Sequence, residues 1–140
     1  MDYTHVAEYL RDALGDLDIT PTSVEFDRWR YDVFKKAADD VQFAPWAEWN
    51  PVGQGFKDFA PRVENFESLL LEGRIRHGNH PLLNMSAANA IAVADPTGAR
   101  KIDKSKATQR IDPLIAAVMS TFAVSDGDIT QTFDVSALIG

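Results

Sequence analysis

Cysteine is absent from the 140 residues of this chain, so disulfide bonds and thiolate metal sites are excluded. A chain without disulfides suits a reducing compartment such as the cytoplasm. Runs of apolar residues are short, so no membrane span is expected, and the acidic start Met1-Asp2-Tyr3 lacks the apolar segment of a signal peptide. Phosphate-binding loops, nucleophile elbows and dinucleotide fingerprints are also missing, so the chain has no ATPase motif of its own.

Positive charge is scarce over the chain as a whole but concentrated in one place. The net charge is −7, which argues against broad affinity for nucleic acid. Residues 100–110 nevertheless hold five cations against Asp103 alone, a local balance of +4. Those cations are Arg100, Lys101, Lys104, Lys106 and Arg110. The run indicates a phosphate-binding patch, although a solvated charged loop explains such a run equally often.

The apolar pattern predicts alternating helices and strands, as expected for an α/β fold with a parallel sheet. The length is that of one domain. The elements expected in the first half are a helix over 3–14, a strand over Ser23–Asp27, a helix over Arg28–Ala38 and a strand near Val41–Phe43. Trp29 has the spacing of a core residue, whereas Trp46 and Trp49 lie in an irregular stretch and suit a partner surface.

The second half adds helices, a hairpin and a tail. The elements expected there are a helix from Pro61 to Gly73, a helix opening at Asn79-His80-Pro81, a hairpin of Ala90–Ala94 and Arg100–Ile102 around the turn Asp95–Gly98, and a helix over Pro113–Phe122. The last helix is expected to bury Leu114, Ile115, Val118, Met119 and Phe122. Residues 125–140 form a polar tail, either a docked strand or partly disordered, so the main domain is expected to span residues 1–124.

Two aspartates stand in positions suited to metal chemistry. Asp27 ends a predicted parallel strand, and ligands of open α/β sheets bind at that edge. Asp112 precedes Pro113 at the mouth of the last helix, directly after the cationic run. Carboxylates beside cations suit phosphodiester cleavage, and oxygen ligands favour Mg²⁺ or Mn²⁺ over Zn²⁺. The simpler alternative is that each aspartate caps a helix, since Asp is a preferred cap residue.

Other polar residues favour local structural roles. Asp95 begins an Asp-Pro-Thr-Gly turn, where Asp is common because its side chain bonds the nearby backbone. His80 before Pro81 favours a cap or turn, and His5, His77 and His80 lack the spacing of a zinc site.

Several short motifs follow one another in a fixed order along the chain. They are Val24-Glu25-Phe26-Asp27-Arg28-Trp29, Gly53-Gln54-Gly55-Phe56, the stretches 72–83 and 89–98, Lys104-Ser105-Lys106 and Arg110-Ile111-Asp112. This ordered set resembles the C-terminal part of the nuclease domain of tailed-phage terminase large subunits. The similarity covers roughly residues 3–124, and the spacing of the whole set carries it rather than any single motif.

The resemblance implies a partial RNase H-like α/β fold, a mixed sheet with flanking helices and a β-hairpin. It implies a contribution to Mg²⁺- or Mn²⁺-dependent endonuclease cleavage of concatemeric double-stranded viral DNA in the cytoplasm of a bacterial host cell. Asp27 and Asp112 match the family's metal ligands, and Lys104 and Lys106 match lysines near the DNA. The implied partners are the N-terminal half of the nuclease domain, an ATPase motor, a portal and a small terminase subunit.

One departure from the family pattern shapes the expected activity. The family's first catalytic aspartate lies on an earlier strand than any in this chain, so we expect a truncated polypeptide, a split gene product or a prophage remnant. The chain alone is then expected to bind metal weakly, and an open sheet edge would favour homo-oligomers. The alternative function is an inactive packaging-motor interaction module, and an RNase H-like resolvase fragment is a third reading.

Overall fold

The computed structural model describes residues 2–29 and 31–123, and within them the chain forms five helices and four strands. The backbone divides into two compact units, Met1–Gly53 and Gln54–Gly140. The first unit contains α1 (Tyr3–Asp16), β1 (Ser23–Asp27), α2 (Tyr31–Asp40) and β2 (Glu48–Val52). The second contains α3 (Phe56–Leu71), α4 (Pro81–Asn89), β3 (Ala92–Ala94), β4 (Arg100–Ile102) and α5 (Asp112–Phe122). The tail expected over 125–140 lies outside the described residues.

The sheet of the first unit is a parallel pair, as the helix–strand order predicts. Ser23 of β1 lies opposite Glu48 of β2, and Asp27 lies opposite Val52. The second strand is not at Val41–Phe43, where it was expected. Those residues close the end of α2 instead, because the N–H of Phe43 donates to the carbonyl of Ala38 at 2.8 Å and Gln42 takes a positive φ of 57°.

The core of the first unit lies between α1, α2 and the loop before β2. Buried alanines at Ala7 and Ala38 let the two helices approach closely. Trp49 packs against this cluster, with its ring edge-on to Phe43 at 6.1 Å and its Nε1 donating to the carbonyl of Ala44. Trp49 therefore contributes to the core of the first unit, whereas Trp46 is 67% exposed. That either tryptophan serves a partner surface stays a prediction.

The start of α2 differs from the prediction, and Trp29 is affected most. The helix begins at Tyr31 rather than Arg28. The backbone N–H of Trp29 donates to the Asp27 carboxylate at 3.1 Å, which closes a turn before the helix. Trp29 is consequently 79% exposed and is not a core residue.

In the second unit, α3 packs against α5 and β4, and α4 packs against α5. The helix α3 begins at Phe56, not at Pro61, with the Gly55 carbonyl accepting from Phe59 at 2.8 Å. Pro61 lies inside the helix on its exposed side, where its missing N–H removes one backbone bond without ending the helix. The apolar residues on either side of Pro61, above all the fully buried Phe59, keep this segment helical through packing.

The inward face of α5 matches the prediction except at its end. Leu114, Ile115, Val118 and Met119 are buried. Phe122 is instead 42% exposed and lies under the Arg62 guanidinium at 4.5 Å from the ring centre.

The predicted hairpin is confirmed, with β3 and β4 pairing antiparallel and Ala94 opposite Arg100. Parallel and antiparallel pairs thus both occur, on two separate two-stranded sheets of the described chain. No helix among residues 2–29 and 31–123 is long and apolar enough to cross a membrane.

Candidate functional site

Asp27 lies at the carboxyl end of β1, where the sequence places it. Its side chain is half-buried, and one carboxylate oxygen accepts the Trp29 N–H. Because α2 begins at Tyr31, Asp27 does not immediately precede the helix and is not its N-terminal cap. The carboxylate lies instead at the carboxyl end of the parallel pair β1–β2. Ligands of open α/β sheets bind outside the carboxyl ends of the strands.

A second acid shares the strand face of Asp27, and sequence reasoning did not single it out. Glu25 is two residues earlier on β1, and alternate residues of a strand project to the same face. Its carboxylate accepts from the Asn50 side-chain amide of β2 at 2.9 Å. The alternation Glu25-Phe26-Asp27 in a predicted strand indicates that both acids lie on one face, and it could have identified Glu25 from the sequence.

Asp112 is the first residue of α5 and is exposed. The cap position is Ile111, which makes no side-chain cap bond, so the interpretation of Asp112 as the cap residue is wrong. The aspartate lies in the first turn, where the helix dipole stabilises a negative charge by about 0.3–1 kcal/mol. That position leaves the carboxylate open to a ligand.

Asp27 and Asp112 belong to different units, the first to Met1–Gly53 and the second to Gln54–Gly140. Among the residues that the structure describes, no group of three or more His, Asp or Glu side chains is placed to hold a metal ion. The donor type suits Mg²⁺ or Mn²⁺, but the described donors do not by themselves complete a site for either ion. That Asp27 and Asp112 bind one cation therefore stays a prediction.

The cationic run divides into two parts in the structure. Arg100, on β4, forms an ion pair with Glu67 of α3 through both of its terminal nitrogens, and this hydrogen bonding raises the pKa of Arg100. Lys101 places its ammonium 4.9 Å from the centre of the Phe56 ring. Both cations thus have intramolecular partners that a phosphate would have to displace or share.

The other part of the run is the loop between β4 and α5. Lys104, Lys106 and Arg110 are all exposed there. Asp103 shapes the start of the loop by accepting the Ser105 hydroxyl at 2.6 Å and its N–H at 2.9 Å, and these bonds lower the pKa of Asp103. The loop therefore presents cations directly before Asp112, as the sequence suggests.

Asp95 and His80 have the local roles expected of them. One oxygen of Asp95 accepts from the Thr97 N–H and hydroxyl and from the Ala99 N–H, which holds the hairpin turn. His80 caps α4, its Nδ1 accepting the Leu82 N–H at 3.3 Å. The Asp95 side chain therefore stabilises a turn, and the His80 side chain stabilises the start of a helix.

Comparison with known proteins identifies the fold and the family. Residues 18–127 match the family model described as terminase large subunit, endonuclease domain. The large terminase subunit of Enterobacteria phage HK97 is 48% identical over 132 residues, which is 94% of this chain and 25% of that protein. A crystal structure of the HK97 bacteriophage large terminase superposes with a TM-score of 0.78, covering 89% of this chain and 25% of the other.

The chain thus spans about a quarter of the length of these relatives. The superposition makes the fold α/β and RNase H-like, in agreement with the prediction. With a family match over most of the chain and a relative of this identity, the chain belongs to the endonuclease-domain family of terminase large subunits, as a portion of that nuclease domain.

Proposed function

We propose that this chain contributes to the metal-dependent endonuclease cleavage of concatemeric double-stranded viral DNA during packaging. The observation that carries the proposal is the position of Asp27 at the carboxyl end of a parallel strand pair, in a chain 48% identical to a large terminase subunit. A carboxylate at that edge is suited to bind a cation beside a DNA phosphate.

Asp27 and Asp112 are the proposed metal ligands, with Mg²⁺ or Mn²⁺ as the ion. Both are carboxylates, and hard divalent cations prefer oxygen ligands. Since the described donors do not complete a site, the remaining ligands are proposed to come from other residues of the large subunit. The chain on its own is then expected to bind metal weakly.

The proposed DNA contacts are the cations before Asp112. Lys104, Lys106 and Arg110 are exposed on one loop, which suits contact with a phosphate backbone. Arg100 and Lys101 are proposed as weaker contacts, because Glu67 and the Phe56 ring already hold their charged groups.

The proposed partners are those of a packaging motor in the bacterial cytoplasm. They are the ATPase part of the large subunit, the small terminase subunit and the portal. Association of two copies through the sheet edge of the first unit stays a prediction.

A chimeric large subunit tests the proposal. This chain replaces the matched 132-residue segment of the HK97 protein, and nicking of supercoiled plasmid is measured with Mg²⁺ and with Mn²⁺. Asp27→Asn and Asp112→Asn each remove a negative ligand while keeping the side-chain shape. We expect each variant to lose roughly 100-fold or more of the nicking rate, and chelation of the metal to abolish nicking.

Asp16→Asn is the matched control, because Asp16 is an exposed carboxylate at the end of α1, outside β1 and outside the loop before α5. It should nick at the rate of the unsubstituted chimera. Full nicking by both the Asp27 and Asp112 variants would overturn the assignment of these residues.

A second candidate is an interaction module without catalysis. The absence of a three-donor group among the described residues favours it. It predicts that the chimera binds its packaging partners at full strength while neither ion supports nicking. Metal-dependent nicking that needs Asp27 excludes this candidate.

A further inference from the structure

The segment between α3 and α4 is an exposed run of hydrogen-bond donors to which the proposed function assigns no role. Residues 73–80 read Gly-Arg-Ile-Arg-His-Gly-Asn-His and contain no acid. Arg74, Arg76, His77 and His80 are all exposed. Arg74 contacts the preceding Glu72 at 3.3 Å on the surface, and an exposed pair of this kind is weak enough for a phosphate to share the guanidinium.

Hydrogen bonds fix which ring nitrogen of each histidine can donate. Nδ1 of His77 accepts the Asn79 N–H at 3.2 Å, and Nδ1 of His80 accepts the Leu82 N–H at 3.3 Å. An Nδ1 that accepts carries no proton, so the proton of each neutral ring is on Nε2. Both histidines are therefore donors through Nε2, which is the role needed beside a phosphate oxygen.

Turns and side-chain hydrogen bonds constrain the backbone of this segment. Gly78 and Asn79 have positive φ angles of 59° and 54°. The N–H of Arg74 donates to the carbonyl of Leu69 at 2.9 Å, which closes the end of α3. The Asn84 amide donates to the Asn79 side-chain oxygen at 2.6 Å. A segment held in this way loses little conformational entropy when it binds a ligand.

The segment lies near the start of α5, where Asp112 is. His77 and Leu114 line one recess of about 220 Å³, and Leu114 is two residues after Asp112. At the other end of α4, the Thr108 hydroxyl donates to Asn89 at 2.7 Å, which ties the loop before α5 to this helix. The helix α4 has nine residues, so its two ends are about 13 Å apart. It therefore has residues 73–80 at one end and the loop before α5 at the other.

The distribution of charge favours nucleic acid at the second unit and not at the first. Residues 1–53 contain five Lys and Arg against eleven Asp and Glu, a balance of −6. Residues 54–123 contain nine Lys and Arg against seven Asp and Glu, a balance of +2. Phosphate is attracted to an excess of cations and repelled by an excess of acids.

We propose that residues 73–80 bind phosphates of the same DNA duplex that the loop before α5 contacts, so that two segments of the second unit hold the DNA backbone near Asp112. The proposal rests on the proposed function for the identity of the ligand, and adds to it a second phosphate-binding segment. Arg76 contributes a charged contact, because a guanidinium can donate two parallel bonds to one phosphate, and His77 contributes a neutral one. A separation of about 13 Å corresponds to about four base pairs along a duplex axis, so one duplex can meet both segments.

Fluorescence anisotropy of a fluorescein-labelled duplex of about 20 base pairs tests the contact. The protein is the 140-residue chain, and EDTA is present so that no metal-dependent cleavage occurs. Affinity is measured between about 0.05 and 0.2 M NaCl, the range over which phosphate contacts give a clear salt dependence. We expect Arg76→Gln to weaken binding roughly 3- to 8-fold at about 0.1 M salt and to lower the slope of log affinity against log salt by about 0.9, because one phosphate contact is lost. Arg76→Lys keeps the charge and should keep the slope, while losing the bidentate contact weakens binding by less than Arg76→Gln does.

Lys57→Gln is the matched control, because Lys57 is an exposed cation of α3 outside both segments. Its affinity and slope should equal those of the unsubstituted chain. A variant that combines Arg76→Gln with Lys106→Gln and Arg110→Gln should lower the slope by about 2.7, as expected for three contacts with one duplex. Thermal unfolding of each variant reports whether it is folded, and no loss of stability is expected at side chains so exposed.

The results separate this proposal from the proposed function. An unchanged slope for Arg76→Gln, a change no greater than that of Lys57→Gln, or no duplex binding by the unsubstituted chain overturns the phosphate contact of residues 73–80. If Arg76→Gln lowers the slope while chimeras with Asp27→Asn and Asp112→Asn still nick, the phosphate contact stands and the metal assignment fails. A loss of nicking in the aspartate variants with an unchanged slope for Arg76→Gln gives the reverse conclusion.

Discussion

At the scale of single residues, several aspartates perform the same local task. Asp2, Asp27, Asp95 and Asp103 each accept the backbone N–H two residues ahead. The Thr4 N–H is the main cause that lowers the pKa of Asp2. The pKa values of Asp95 and Asp103 are lowered chiefly by the hydroxyls of Thr97 and Ser105, and the backbone bonds add to this effect. A turn hydrogen bond is thus a common property of aspartate in this chain, and at Asp27 it is the position at the strand end that distinguishes the residue.

Asp95 allows this local role to be measured. Its pKa lies below the ordinary value of 3.8, chiefly because the Thr97 hydroxyl donates to the carboxylate and then because the Thr97, Ala99 and Gly98 N–H groups do. Since the folded pKa is the lower one, the carboxylate stabilises the turn at and above pH values near 3.8, and this stabilisation is lost as the pH falls through the folded pKa. We expect the protection of the Thr97 and Ala99 amides from exchange to fall in that acid range.

Asp95→Asn should remove this pH dependence, because an amide keeps the acceptor oxygen without titrating. The measurement is an NMR titration of the Asp95 carboxyl resonance together with amide exchange. Titration of Asp95 at or above 3.8 would contradict the expectation.

Among the secondary-structure elements, the start of one helix is determined by its cap and the start of another by its packing. The start of α4 follows its cap, since His80 accepts the Leu82 N–H and Pro81 has the backbone angle of a first helical residue. The start of α3 follows packing, since the helix continues through Pro61 with Phe59 and Phe66 buried. Local signals are therefore decisive only where no strong tertiary contact opposes them.

His80→Ala tests the cap. Removing the acceptor should lower the free energy of unfolding by about 1 kcal/mol, and His80→Asn should restore most of it, because Asn is a preferred cap residue. His5→Ala is the control, as His5 is exposed and contacts Glu8 at 3.3 Å and Asp2 at 3.8 Å, and surface pairs contribute little. Urea denaturation of the three variants measures the difference, and equal stability of His80→Ala and His5→Ala would exclude a capping role.

At the scale of the whole molecule, charge is distributed unevenly. The chain has a net charge of −7, yet the loop before α5 presents Lys104, Lys106 and Arg110. An acidic molecule with a cationic loop should bind DNA in one orientation, because its acidic surface repels phosphate. In the proposed function this orientation brings the DNA backbone near Asp112, because the loop ends at that residue.

The salt dependence of duplex binding tests this distribution. Each phosphate contact contributes about 0.9 to the slope of log affinity against log salt, so Lys106→Gln with Arg110→Gln should reduce the slope by about 1.8. Arg100→Gln should change it less, because Glu67 already pairs with that guanidinium. Equal effects of the double variant and Arg100→Gln would show that the loop is not the main contact.

Features whose cause lies within a few residues could be predicted from the sequence. The Asp95–Gly98 turn, the His80 cap, the buried face of α5 as far as Met119 and the place of Asp27 at a strand end all depend on near neighbours, and all are found where expected. The family resemblance was also readable, because it rests on the order and spacing of motifs along the chain.

Long-range packing determines which segment pairs with β1, which tryptophan packs against the core and which partner Arg100 meets. The partner strand is Glu48–Val52 despite Pro51, because among the described residues β2 pairs with β1 alone, and a strand paired on one side tolerates a residue that lacks an N–H. Trp49 packs against the core and Trp29 is exposed, although both are flanked by polar or charged residues along the chain. Arg100 meets Glu67 across 33 positions. Contacts between distant residues depend on how the elements pack, and local patterns of charge and hydrophobicity do not specify that packing.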